Sequence, residues 1–267
     1  MELNVLYALL MTLGAGLATG VGSAIAFFAK TTNRKFLSFA LGLSAGVMIY
    51  VSFMELMFQA RIELAALEGE KTGTAITVIC FFIGIAVAAL IDKMVPSFEN
   101  PHEPRSVEDL SAPVGKEQKL ARMGMITALA LAIHNFPEGI ATFISAVEQP
   151  EIGLAIAVAI AIHNIPEGIA VSVPIYYATG SRKKAFWYSF MSGLAEPVGA
   201  LLAWLVLMPF MTPLVLYCTF AAVAGIMVFI SLDELLPAAR EYGYHHISIY
   251  GLVAGMAIMA LSLILLM

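Results

Sequence analysis

Eight apolar runs, each about as long as a membrane-spanning helix, divide almost the whole sequence. A helix needs about 20 apolar residues to cross the hydrocarbon core of a bilayer. Of the 267 residues, 60% are hydrophobic and 12% are charged, whereas about a quarter of the residues of a soluble domain are charged. A soluble enzyme is therefore not expected, and the runs leave no room for a sizeable soluble domain.

Charged and Pro/Gly-rich breaks between the runs set the predicted helix limits. The single long connection, residues 96–121, separates three helices at 3–95 from five at 122–267. The predicted fold class is all-α, a polytopic membrane protein with eight transmembrane helices in one domain over residues 1–267. The predicted helices are 3–28, 36–58, 73–95, 122–147, 151–174, 185–208, 212–236 and 246–266.

The positions of the basic residues predict the orientation. The sequence contains 14 Lys and Arg, and all but Arg61 and Lys71 lie in or beside the first, third, fifth and seventh connections. Basic connections stay in the cytoplasm, so both termini are predicted to be extracytoplasmic and loop 96–121 cytoplasmic. The expected location is the cell membrane, or the inner membrane of a host with two. A net charge of -5 without a long basic stretch excludes nucleic acid as a partner.

Internal repeats indicate an inverted architecture. HNFPEGIA at 134–141 and HNIPEGIA at 163–170 differ at one position of eight, and they lie on consecutive, antiparallel helices. Further matches relate helices 1–3 to helices 6–8 and predict a 3+2+3 inverted-repeat arrangement, a pattern typical of secondary transporters with a site at mid-membrane. These matches pair 16–22 with 193–199 and 45–60 with 224–239.

Polar side chains at the middle of helices 4, 5 and 6 carry the predicted chemistry. Each repeat places His and Glu four residues apart on one helical face, with Asn beside the His. No Lys or Arg lies at that depth, so protons or a divalent cation must neutralise the carboxylates. Imidazole, carboxylate and amide groups suit Zn²⁺, Fe²⁺, Co²⁺ or Mn²⁺. The predicted metal ligands are His134, Asn135, Glu138, His163, Asn164, Glu167 and Glu196.

Prolines accompany these ligands on all three helices. Pro137 and Pro166 lack the N–H group that would bond the carbonyl four residues earlier, and Pro197 follows Glu196. We expect kinks there that free backbone oxygens beside the ligands.

Other acids lie nearer the helix ends, namely Glu55 on helix 2 and the pair Asp233 and Glu234 on helix 7. They fit ordinary interface acids and vestibule carboxylates that gather cations equally well, so their roles stay open.

The motifs HNFPEGIATF, HNIPEGIAV, GLAEPVGA and AGIMVFISLDELLP resemble those of the ZIP (Zrt/Irt-like) metal transporters, in particular the bacterial zinc-uptake branch. The likeness extends over nearly the whole chain. It implies a binuclear site in which Glu138 and Glu167 bridge two metal positions. The zinc-preferring position would use His134, Glu138, His163 and Glu167. The neighbouring, iron-binding position would use Asn135, Glu138, Asn164, Glu167 and Glu196.

The expected function is uptake of zinc and other divalent cations such as iron, manganese and cobalt, without enzymatic activity. Zn²⁺ and Fe²⁺ would be bound as transported substrates, and no resident cofactor is expected. The bilayer is the other partner, and a homodimer is left open. The main alternative is an intramembrane zinc-dependent hydrolase, because zinc with an open coordination position activates water. A cation channel with the cluster as its filter is a further alternative.

Overall fold

The computed structural model describes residues 2–28, 34–94, 132, 135–148, 150–241 and 243–266, and within these ranges it contains helices and no strand. The loop predicted at 96–121 and the beginning of predicted helix 4 lie outside the described residues. Several helices consist of consecutive segments. The helices are α1, Glu2–Phe28; α2, Arg34–Val51, Ser52–Leu56 and Met57–Glu68; α3, Glu70–Met94; α4, 135–148; α5, Pro150–Thr179; α6, Arg182–Gly193, Ala195–Leu202, Ala203–Leu207 and Met208–Phe210; α7, Pro213–Ile230, Ser231–Leu235 and Leu236–Glu241; and α8, His245–Leu266.

Long apolar helices dominate the described residues. Six of them, α1, α2, α3, α6, α7 and α8, are long and apolar enough to cross a membrane. Helix α5 contributes a shorter apolar stretch, Gly153–Ile169. Large apolar side chains such as Phe82, Leu205 and Leu265 are exposed on the outside of the bundle, as expected for a surface that faces lipid. The predicted all-α class is confirmed for the described residues.

Helix α2 is longer than predicted. It was expected to end at residue 58, but its last segment runs from Met57 to Glu68. That segment is rich in Ala, Leu, Glu and Arg, which are good helix formers, so its charges do not end the helix. Gly69 ends it in the left-handed region, with φ 87°, and α3 begins at Glu70. A tight turn thus replaces the connection expected at 59–72.

Glycines bring several pairs of helices into close contact, and α3/α7 and α2/α8 are two of these pairs. Gly84 of α3 lies against the carbonyl of Ala222, and Gly225 of α7 lies against the carbonyl of Phe81. A Cβ atom at either glycine would collide with backbone. Helices α2 and α8 pack in the same way, and we call the α3/α7 and α2/α8 contacts the glycine seams. The α2/α8 seam is formed by Gly42, Gly46, Gly251 and Gly255.

Helices α1 and α6 pack against the central pair at equivalent positions of the sequence repeats. Gly22 of α1 lies against the carbonyl of Ile165 on α5. Gly199 of α6, which matches Gly22, lies against the carbonyl of Phe136 on α4. Phe136 and Ile165 are themselves the one differing pair of the two eight-residue motifs. The contact of Gly22 with Ile165 and the contact of Gly199 with Phe136 are therefore equivalent under the sequence repeats.

Helices α2 and α7 each contain a π-helical turn at matched positions. The turns are Ser52–Leu56 and Ser231–Leu235. The hydroxyl of Ser52 donates to the Met48 carbonyl at 2.7 Å, and the hydroxyl of Ser231 donates to the Met227 carbonyl, also at 2.7 Å. π-Turns inside α-helices often mark functional sites, and these two contain Glu55 and Glu234.

Candidate metal centre

Six of the seven predicted ligands lie buried in the interior, on three neighbouring helices. No more than 2% of the surface of any of them is exposed. Because i and i+4 residues share a helical face, His163 and Glu167 project from α5 together. The seventh predicted ligand, His134, lies outside the described residues. The buried six are Asn135 and Glu138 on α4, His163, Asn164 and Glu167 on α5, and Glu196 on α6.

A carboxylate and an imidazole join α4 to α5. Nε2 of His163 lies 3.3 Å from Oε2 of Glu138. Glu167 interacts electrostatically with both of these groups. The first Glu of the doubled motif therefore meets the His of the second copy, across the interface between the two repeats.

Asparagines tie the central pair of helices to α1 and α6. Nδ2 of Asn164 donates to the carbonyl of Ala15 at 2.8 Å and also to Oε1 of Glu196. Nδ2 of Asn135 donates to the carbonyl of Ser192 at 3.3 Å. Ala15 and Ser192 hold corresponding places just before the 16–22 and 193–199 repeats, so the two asparagines make matched contacts.

Serines continue this set of hydrogen bonds between α1, α5 and α6. The Ser189 hydroxyl donates to the carbonyl of Gly168 at 3.0 Å, and Ser23 donates to Ser189 at 2.6 Å. We call these contacts between α1, α4, α5 and α6 the polar seam. Its hydrogen-bonding side chains are Ser23, Asn135, Asn164, Ser189 and Glu196.

Several oxygens of the centre are buried without a hydrogen-bond partner among the described residues. They are both carboxylate oxygens of Glu167, Oε2 of Glu196 and the amide oxygens of Asn135 and Asn164. Burying such oxygens unpaired costs free energy. Oxygens of this kind are suitable ligands for a divalent cation.

Among the described residues, no Lys or Arg forms an ion pair with the carboxylates of the centre. The ion pair found there joins Glu138 to His163. The arrangement thus requires a cation or protons.

Sequence comparisons identify a protein family and close relatives of this chain. A family model described as ZIP zinc transporter matches residues 98–263. A protein named zinc transporter ZupT from Oceanobacillus iheyensis is 65% identical to this chain, over 98% of the chain and 99% of the relative. Proteins of the same name from Lysinibacillus sphaericus and Clostridium perfringens are 63% and 58% identical, over 100% and 98% of the chain and 100% and 96% of the relative. The chain belongs to the ZIP family.

Membership of the ZIP family decides two of the expectations. Its members are transporters and not enzymes, so the alternative of an intramembrane hydrolase has no support. The family and the apolar helices together make this chain a multi-pass protein of the cell membrane.

The ZIP-type ligand set itself stays a prediction. Within the described ranges, no three His, Cys, Asp or Glu side chains are arranged to hold one metal ion. The zinc-preferring position predicted from the sequence depends on His134, which lies outside those ranges. The structure brings Glu138 to His163, and Asn164 to Glu196, as two contacting pairs.

Helix α6 is interrupted beside its ligand, and α5 is continuous through its motif. Leu194 separates the segments Arg182–Gly193 and Ala195–Leu202, which places Glu196 in the first turn of the second segment. The carbonyl freed by Pro197 is that of Gly193, and it faces Gly16 of α1. This oxygen therefore supports helix packing and is not free as an additional ligand.

Thr19 is a polar neighbour that the sequence analysis missed. It is fully buried, and its Oγ1 has no hydrogen-bond partner within the described ranges. Gly168 lies against the Thr19 carbonyl as Gly139 lies against the Glu196 carbonyl. The match of GLATGVG with GLAEPVG aligns Thr19 with Glu196 and was the signal that could have identified it.

The acids nearer the helix ends, Glu55, Asp233 and Glu234, interact with other polar side chains. The side chain of half-buried Glu55 hydrogen-bonds Gln59 on the same helix. Asp233 and Glu234 interact electrostatically with Asp92 of α3, and Glu234 also with Glu167. The acids of α7 are therefore electrostatically linked to the buried centre, while the roles of all three stay open.

Proposed function

We propose that this chain takes up zinc, and also iron, manganese and cobalt ions, across the cell membrane through a binuclear site between α4, α5 and α6. The name of the relatives, zinc transporter, supports zinc as the cargo. The observation that carries the proposal is the burial of Glu138, Glu167 and Glu196 beside the imidazole of His163, with both oxygens of Glu167 and Oε2 of Glu196 lacking a hydrogen-bond partner among the described residues. A divalent cation supplies the missing positive charge.

The two metal positions share their carboxylates. Glu138 and Glu167 both interact electrostatically with the imidazole of His163 and with the carboxylate of Glu196. These shared interactions support them as bridging ligands. The position richer in nitrogen consists of His134, Glu138, His163 and Glu167, and the position richer in oxygen consists of Asn135, Glu138, Asn164, Glu167 and Glu196.

The proposed architecture is eight membrane spans, with helices 1–3 and 6–8 related by inversion around the pair α4/α5 and with both termini outside. Support comes from the matched contacts of Asn135 and Asn164, from the matched π-helical turns in α2 and α7, and from the distribution of Lys and Arg. In such an arrangement, two equivalent halves open the same site to either side of the membrane. Protons on the carboxylates replace the metal after its release.

Uptake into proteoliposomes tests this function. Purified protein is reconstituted, radioactive ⁶⁵Zn²⁺ is added outside, and accumulation is followed for the wild type, Glu138→Ala and Glu167→Ala. Glu68→Ala is the matched control, because Glu68 is an exposed acid at the end of α2. We expect saturable uptake by the wild type and the control, and none by the two site variants. Unimpaired uptake by the site variants would falsify the site assignment, and uptake that does not saturate would favour a channel.

A further inference from the structure

Helix α6 begins with three consecutive basic residues at one corner of the molecule. Arg182, Lys183 and Lys184 are all exposed, and none forms an ion pair with a carboxylate among the residues that the structure describes. The sequence has no Asp or Glu from residue 168 to residue 195. The corner therefore carries positive charge that the neighbouring sequence does not balance.

This end of the helix is well ordered by local contacts. The Ser181 hydroxyl accepts a hydrogen bond from the backbone N–H of Lys184 at 3.3 Å and caps α6. The Arg182 guanidinium lies over the Tyr176 ring, 5.6 Å from its centroid. The cations thus stand at a defined position where α5 and α6 meet.

Aromatic rings lie next to the cations on the same helix. Trp187 is 47% exposed, and its ring contacts the ring of Phe190 with a centroid distance of 5.7 Å. Phe186 stacks on Phe190 at 5.6 Å. Trp187 is four residues after Lys183 and three after Lys184, so it shares a helical face with both. We call Tyr176, Arg182, Lys183, Lys184 and Trp187 the α6 corner.

We propose that the α6 corner binds an anionic phospholipid, with the phosphate of the headgroup on the three basic side chains and the beginning of the acyl chains against Trp187. Charge complementarity selects this occupant, because an anionic headgroup carries a net negative charge and a phosphatidylcholine headgroup carries none. Basic pockets at the cytoplasmic end of membrane helices bind anionic headgroups for this reason, and Trp prefers the headgroup level of the bilayer. This inference does not depend on the proposed transport function.

The opposite end of α6 provides an internal control. The other of the two Trp residues, Trp204, is 41% exposed in the segment Ala203–Leu207. At a rise of about 1.5 Å per residue, the two Trp residues are roughly 25 Å apart along the helix. The sequence has no Lys or Arg between Lys184 and Arg240. Trp204 therefore reports on a lipid contact without cations on its own half of α6 or on the following helix before Arg240.

Fluorescence quenching by brominated lipids tests the proposal. Trp204→Phe leaves Trp187 as the only tryptophan, and Trp187→Phe leaves Trp204. Each variant is reconstituted in phosphatidylcholine with increasing amounts of dibrominated phosphatidylglycerol or of dibrominated phosphatidylcholine. We expect Trp187 to be half-quenched at a roughly fivefold or more lower fraction of the anionic lipid, since basic residues near the membrane surface attract anionic lipids. Trp204 should show no preference.

Two further measurements separate this site from general attraction to the membrane. In the Trp204→Phe background, R182Q/K183Q/K184Q should remove the preference, and R61Q/K71Q should keep it. For the protein without charge changes, 0.5 M NaCl should reduce the preference, which guards against misfolding of the triple variant. Equal quenching by the two lipids at Trp187, or a preference that survives the triple substitution, overturns the proposal. Loss of the preference on adding millimolar inorganic phosphate at constant ionic strength would assign the corner to free phosphate instead.

Discussion

Helices α1 and α5 meet at glycines, as do α2 and α8 and also α3 and α7, but α5 adds side-chain hydrogen bonds to its contacts with α1 and α6. In the polar seam, the single side chain of Asn164 contacts both the Ala15 carbonyl and the Glu196 carboxylate. In the glycine seams, the closest approaches are of Cα atoms to backbone carbonyls, as at Gly84 and Gly225. These hydrogen bonds lie in the part of the interior that holds the candidate metal ligands.

The difference separates stability from function. Close glycine packing lets backbones approach and is sufficient to hold membrane helices together. Buried carboxylate and amide oxygens without partners lower stability, so the role we propose for this part of the interior is to bind a cation. The Ser44 hydroxyl of α2 lies 3.5 Å from the His163 carbonyl of α5. A bond of that length is weak.

The largest expected effect is on transport at Glu167. Glu167→Gln keeps the shape of the side chain and removes its charge, so zinc uptake should fall at least about 100-fold, a loss of about 2.7 kcal/mol. The melting temperature without metal should stay the same or rise, because the Glu167 oxygens make no hydrogen bond among the described residues that the substitution could remove. Uptake assays and thermal unfolding in detergent measure both. A large drop in melting temperature would show that the polar seam is structural.

The glycine seams should show the opposite behaviour. Gly225→Ala places a Cβ against the Phe81 carbonyl, and such overpacking costs about 1–3 kcal/mol of stability. Zinc uptake per folded molecule should change little. Gly14→Ala is the matched control, since nothing lies within 4 Å of a Cβ there. Thermal unfolding of the two variants distinguishes them, and equal stability would contradict the role assigned to close packing.

An intermediate effect is expected at Glu196, which we propose as a ligand of the oxygen-rich position alone. Glu196→Gln should change the ratio of iron to zinc uptake by about tenfold, corresponding to roughly 1.4 kcal/mol, and should change zinc capacity less. Parallel uptake of ⁵⁵Fe²⁺ and ⁶⁵Zn²⁺ measures this ratio. An unchanged ratio argues against two chemically distinct metal positions.

The smallest effects are expected from two serine substitutions, and Ser189→Ala should have the larger effect of the two. The variant removes the hydrogen bonds of Ser189 with Gly168 and Ser23, and a buried hydrogen bond contributes about 1 kcal/mol. A decrease of a few degrees in melting temperature is expected. Ser44→Ala removes one long hydrogen bond and should change the melting temperature less. A larger effect at Ser44 would mean that α2 and α5 are held more tightly than their contact indicates.

Much of the architecture follows from the sequence because lipid imposes strong rules. Apolar runs must be helical to satisfy their backbone groups, and the all-α class followed from that requirement. The end of α2 could not be predicted in this way, because charged residues after position 58 fit a loop and an extended helix equally well. Gly69 decided it through its left-handed backbone.

The centre was predicted in part. Spacing placed His163 and Glu167 on one face of α5, but it could not show that the imidazole contacts Glu138 of the other repeat. Interhelical contacts depend on how helices cross, which a single sequence does not encode locally. The interruption at Leu194 agrees with the kink expected from Pro197, whereas the contact between Gly193 and Gly16 could not be predicted. Thr19 was overlooked because a hydroxyl carries little signal without its repeat partner.

The most direct test of the account is an anomalous-scattering map of crystals loaded with zinc, collected on both sides of the zinc absorption edge. We expect a peak with zinc about 2.0–2.2 Å from a His163 nitrogen and from carboxylate oxygens of Glu138 and Glu167. The peak should disappear in the Glu138→Gln/Glu167→Gln double variant. Zinc that binds elsewhere, or a peak between α4 and α5 that persists in that variant, would contradict the claim that these carboxylates hold the transported ion.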